Sequence, residues 1–107
     1  MMDNIFNIDS LPIDSELFDT IFHNKNVKIE RILSKGQVTK DGEWYNQETD
    51  EWVILIQGNA KIEFENHKII ELNSGDYIFI PSHQKHKVIF TSVDPICIWI
   101  AVHIEKE

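Results

Sequence analysis

EWVILIQGNAKIEFENHKIIELNSGDYIFIPSHQKH, residues 51–86, decides the fold. Ala60 to Phe64 sets Ile62 and Phe64 against Lys61 and Glu63, the period of two that marks a strand with one covered face. His67 to Leu72 follows as its hairpin partner, and Trp52 to Ile56 is apolar throughout, as expected of a strand covered on both faces. The turn signals Gln57-Gly58-Asn59, Glu65-Asn66-His67 and Asn73-Ser74-Gly75-Asp76 recur at the spacing of an all-β sandwich or barrel.

Outward from this stretch, Tyr77 to Ile80, His86 to Thr91 and Ile96 to Ile104 read as further strands, broken by Pro81 and by Asp94-Pro95. Upstream, Val27 to Ser34 alternates, with Arg31 on the more apolar face and in need of a partner. Leu17, Phe18, Ile21 and Phe22 fall on one helical face behind an Asp14 or Ser15 cap, which predicts one short helix over Asp14 to His23 closing an end of the barrel. Residues 1–13 form an irregular or edge-strand lead-in. The expectation is one domain over residues 1–107, with the lead-in and helix in 1–26 and the barrel in 27–104.

A formal charge of −8 speaks against nucleic acid or an anionic membrane as partner, since both call for basic patches. No apolar run approaches the roughly 18 residues of a membrane span. The one cysteine, Cys97, lies in an apolar run as a small buried hydrophobe, and with the acidic N-terminus it points to the cytoplasm.

Chemistry gathers at the ends of the central stretch. Glu51 shares a strand face with Val53 and Leu55, so it either points inward, where a carboxylate requires a partner or a metal, or lies solvated just outside the barrel end. His86 shares a face with Val88 and Phe90, and imidazole with carboxylate is a set that divalent first-row metals recruit. His83 is either a second nitrogen donor or a turn residue in the left-handed region. His103, in phase with Cys97, Trp99 and Ala101, is a ligand or a buried histidine facing Arg31 or a carboxylate. Trp44, Tyr45, Asn46 and Gln47 suit the rim of a small-molecule pocket. His23 and His67 read as surface residues. No nucleophile elbow, phosphate loop or Cys-x-x-Cys pair occurs.

These residues resemble the small single-domain cupins. That family's second motif, G-x5-P-x-G-x2-H-x3-N, is met by Gly75, Pro81 and His86, with His83 in place of the middle glycine and Phe90 in place of the asparagine. Its first motif, G-x5-H-x-H-x(3,4)-E-x6-G, is met by Glu51 and Gly58, whereas its histidine pair falls on Trp44 and Asn46 or on Tyr45 and Gln47. Trp44-Tyr45-Asn46-Gln47, Glu51-Trp52, the Pro81 to His86 run and Trp99-Ile100-Ala101-Val102-His103 are similar to an uncharacterised subgroup. The resemblance implies a double-stranded β-helix, or jelly-roll barrel, with Glu51 and His86 on facing strands at one mouth, and pairing of two copies through edge strands. It implies a divalent metal (Fe, Mn, Zn or Ni) held by Glu51 and His86, the two positions that match the family's ligands, with His83 as the second nitrogen that would restore a two-histidine, one-carboxylate set. A small polar molecule would then lie against Trp44, Tyr45, Asn46 and Gln47, with Arg31 or His103 orienting an anionic substrate. Such a protein would act as a dioxygenase, isomerase or lyase. The alternative is a metal-free binding or structural module.

Overall fold

A computed structural model describes residues 2–106. Its eight strands are β1 (Leu17–His23), β2 (Val27–Ser34), β3 (Asp50–Gln57), β4 (Ala60–Phe64), β5 (Ile69–Leu72), β6 (Tyr77–Ile80), β7 (His86–Thr91) and β8 (Cys97–Ile104). They form two antiparallel sheets, one ordered β1-β2-β8-β3-β6 and the other β5-β4-β7. Inward side chains meet between them: Val53, Leu55, Trp99 and Ala101 from the larger sheet, Ala60, Ile62, Phe64 and Leu72 from the smaller. The alternation read from Ala60 to Phe64 is present as alternating buried and more exposed positions.

The predicted helix over Asp14 to His23 is a strand. Leu17–His23 is extended and pairs with β2 from Leu17↔Leu33 to His23↔Lys28. Phe18, Thr20, Ile21 and Phe22 are aromatic or β-branched, and β2 offers a free row of backbone donors and acceptors. That ladder outweighs the weak helical period. It also places Asp19 opposite Arg31, whose guanidinium donates to Asp19 Oδ2 at 2.6 Å. Arg31 donates further to the carbonyls of Ile5 and Asn7, which ties the lead-in to the outside of the large sheet.

One turn is fixed by close approach. Gly58, between β3 and β4, has φ +101°, and a Cβ there would lie 2.8 Å from Ser92 Oγ and 2.9 Å from Cys97 Sγ. Gly58→Ala combines left-handed strain with a clash against the start of β8, at a cost of about 2–4 kcal/mol. Urea unfolding is expected to show a lower midpoint with an unchanged slope.

Candidate functional site

Glu51 stands on the inward face of β3, in phase with Val53 and Leu55, and its side chain is buried. His86 opens β7 on the opposite sheet. Its Nδ1 lies 2.9 Å from the Gln84 carbonyl, which can only accept, so Nδ1 carries the proton, and in the neutral ring Nε2 presents its lone pair inward. That nitrogen faces Glu51 Oε1 at 3.7 Å, and Oε1 has no hydrogen-bond partner among the described residues. The imidazole is held on both sides: Tyr45 stacks on it at 5.5 Å between centroids, and Phe64 lies tilted at 6.3 Å. Reciprocal backbone bonds between Tyr45 and His86, 2.8 and 3.1 Å, pin the 35–49 connection to β7.

Two further clusters complete the lining. His103 Nε2 meets Glu30 Oε1 at 2.9 Å, and His103 is the cross-strand neighbour of Glu51. Trp99 Nε1 donates to Ser34 Oγ at 3.1 Å, and Ser34 donates in turn to the Glu16 carboxylate. Apolar walls from Phe18, Ile32, Val53, Ile62, Val88 and Trp99 join these groups around a cavity of about 90 Å³. That is room for roughly three waters or one small organic molecule.

Burial governs the acid–base state of this cavity. It pushes the Glu51 carboxyl above its ordinary value; His103 and His86 pull the other way, and Glu30 adds to the rise. Glu16 is likewise raised by burial, against the lowering effect of its bond from Ser34. The Tyr45 phenol is pushed up by burial and then by the carboxylates of Glu16, Glu51, Glu43 and Glu30.

Of the side chains expected at the site, Tyr45, Gln47, Glu51, His86 and His103 line the cavity. Arg31, Trp44, Asn46 and His83 do not. Arg31 is engaged by Asp19 on the far face of the sheet, because in β2 the inward set is Glu30, Ile32 and Ser34 and not the set containing Arg31. Trp44 carries the Lys87 ammonium 4.4 Å above its ring, outside the cavity. His83 takes the left-handed turn conformation, φ 63°, and its Nδ1 contacts Asn46 Oδ1 at 2.9 Å on the rim. The expected Glu51, His86 and His83 donor set is therefore not gathered: two donors converge and the third is turned away. Among the described residues no three His, Cys, Asp or Glu side chains come together in a metal-holding arrangement. Glu16 and Glu30 are the lining residues that sequence reasoning missed. The signal for Glu30 was its phase with Ile32 and with Ser34, the partner of Trp99.

The Cupin domain family profile matches residues 32–103. Among solved structures, a protein of Ralstonia eutropha JMP134 described as a candidate mannose-6-phosphate isomerase superposes with a TM-score of 0.93 at 34% identity, covering 99% of both chains. A cupin superfamily protein of Desulfitobacterium hafniense DCB-2 superposes at 0.75 with 16% identity over 99% of both chains. KdgF from Halomonas sp. does so at 0.69 with 18% identity, covering 88% of this chain and 84% of its own. No curated protein matches. The all-β jelly-roll expectation agrees with these superpositions, apart from its helix.

Proposed function

Because this chain belongs to the cupin family, we propose that it binds a small uncharged polar molecule inside the barrel and moves a proton on it through Glu51 and His86. The observation that carries this reading is the buried, unpartnered Glu51 Oε1 facing the lone pair of His86 Nε2 at 3.7 Å. Burial disfavours the ionised form of the Glu51 carboxyl and so favours its role as proton donor, and the Nε2 lone pair of His86 beside it is the matching acceptor. A hydroxyl or carbonyl oxygen of the ligand replaces the missing hydrogen bond of Oε1. Removal of a proton next to a carbonyl by one group and its return by the other is isomerase chemistry, the class named for the R. eutropha relative. A phosphate ester fits poorly. Three carboxylates, Glu16, Glu30 and Glu51, line the cavity, and among the described residues no lysine or arginine does.

The test is deuterium exchange from D2O into three- and four-carbon hydroxyaldehydes and hydroxyketones, each with and without a phosphate ester, followed by NMR. Exchange next to the carbonyl of the uncharged compounds, absent in His86→Asn, is expected. Exchange no faster than in buffer, or a preference for the phosphorylated compounds, contradicts the reading.

A second reading, a divalent cation, is favoured by the same two atoms, since the Gln84 carbonyl orients His86 as an outer-shell acceptor orients a metal ligand. The fit is partial. Glu51 and His86 would hold the ion, with the Gln47 amide oxygen a further donor on the cavity wall, and it would supply a Lewis acid to polarise a ligand oxygen. Thermal unfolding with added Zn, Mn, Fe or Ni separates the two readings. The acid–base reading expects no rise in the melting temperature and exchange that survives a chelator. A rise with metal that is lost in His86→Ala favours the cation.

A further inference from the structure

The segment between β2 and β3 borders the cavity with alternate side chains inward. Tyr45 and Gln47 line it, whereas Trp44 lies under the Lys87 ammonium and Asn46 meets His83 on the rim. Of the two residue pairs on which the first-motif histidines could fall, the inward one is therefore Tyr45 and Gln47. These two also carry the donors that the rest of the lining has already committed. The Trp99 indole N–H is taken by Ser34, and His103 Nε2 by Glu30. Carboxyls apart, the lining donors left without a bond among the described residues are the Tyr45 hydroxyl and the Gln47 side-chain amide. Tyr45 is fixed where it stands, with its ring 26° from the plane of the His86 imidazole and its backbone bonded to His86 at 2.8 and 3.1 Å. Burial, and then the charges of Glu16, Glu51, Glu43 and Glu30, keep its phenol protonated.

We infer that the Tyr45 hydroxyl and the Gln47 side-chain N–H together hold the carbonyl oxygen of the ligand and take up the charge that develops on it, which makes both of them catalytic residues. The inference rests on the acid–base reading of Glu51 and His86. When His86 Nε2 accepts the proton of the carbon next to the carbonyl, the C–H electron pair becomes a C=C bond and the carbonyl π pair moves onto oxygen. The ligand becomes an enolate with one negative charge, and His86 an imidazolium with one positive charge. That oxygen forms in a cavity lined by Glu16, Glu30 and Glu51, with no lysine or arginine among the described lining residues to offset it. Its charge is held by preorganised neutral donors aimed at where it develops, and Tyr45 and Gln47 are the ones free to do so. The Tyr45 ring, with its centroid 5.5 Å from that of His86, also presents its face to the new imidazolium. One residue thus supports both charges of the step.

Deuterium exchange from D2O into an uncharged three-carbon hydroxyketone, followed over a range of ketone concentrations with the full chain, tests this. Tyr45→Phe keeps the stacked ring and both backbone bonds and removes only the hydroxyl. Gln47→Leu removes the amide at similar volume. Each is expected to lower the maximal exchange rate by about 10²- to 10³-fold with the half-saturating concentration unchanged, the signature of an interaction made only in the transition state. Either variant exchanging as fast as the unaltered protein, or losing only through a higher half-saturating concentration, overturns the inference and leaves the Glu51 and His86 reading in place. An unaltered protein that exchanges no faster than buffer overturns both.

Discussion

Glu51→Gln is expected to lower proton exchange on the bound ligand by about 10²- to 10⁴-fold while leaving the fold intact and raising its stability at neutral pH. The two effects have one cause. The wild-type carboxyl is 7% exposed and lacks a hydrogen bond at Oε1, so its ionised form is costly in the folded protein. The amide keeps the shape, has no charge to desolvate, and can donate an N–H toward His86 Nε2. The pH dependence follows from the raised carboxyl of Glu51. Below the unfolded carboxylate value both states are protonated and no penalty exists. As pH rises from there through the raised native value, the unfolded chain releases its proton first, and stability falls by up to about 1.4 kcal/mol per pH unit. Above the native value the loss is complete and constant. Urea midpoints between pH 4 and 8 are expected to fall for the wild type and to fall less for Glu51→Gln. Parallel curves would mean that Glu51 carries no such penalty.

Trp99→Ala is expected to cost about 3–5 kcal/mol, the largest stability loss of any single change considered. Trp99 is 4% exposed at the centre of the large sheet, between Ile32 of β2 and Leu55 of β3. Its removal leaves a void continuous with the cavity and takes away the indole N–H that Ser34 accepts while donating to Glu16. Trp99→Phe keeps most of the volume and loses chiefly that hydrogen bond, at about 1 kcal/mol. The comparison separates packing from polar support. If the phenylalanine variant falls as far as the alanine one, the Ser34 and Glu16 chain contributes more than the indole ring.

Sequence period was a good guide where one face of a strand is apolar and the other charged. Ile62 and Phe64 against Lys61 and Glu63 could be read only one way, and the strand lies where the alternation puts it. β2 resisted because both its faces are covered. The lead-in lies over Arg31 on one side, and the cavity takes Glu30, Ile32 and Ser34 on the other, so polarity did not reveal which face is inward. Reading Arg31 toward the site and missing Glu30 are the same error. The N-terminal helix failed for a different reason: apolar spacing at Leu17, Phe18, Ile21 and Phe22 says nothing about the free edge of β2, and that edge decides the backbone conformation. At the site, strand phase put Glu51 and His86 on apolar faces and left their inward and outward readings, and the ligand and carboxylate-partner readings of His103, open; the structure has both inward and His103 against Glu30. His83 lies in a turn, where no period applies, and its backbone conformation turns it to Asn46 on the rim.

The central claim is that Glu51 and His86 are a buried proton donor and acceptor, and titration of the Glu51 side chain tests it most directly. In protein labelled with carbon-13 at glutamate carboxyls, the resonance missing from Glu51→Gln identifies the group, and its shift is followed from pH 3 to 9. A midpoint clearly above that of the exposed glutamates is expected, moving further when an uncharged hydroxycarbonyl ligand is bound. A midpoint at or below the exposed glutamates, unmoved by any such ligand, would contradict the account.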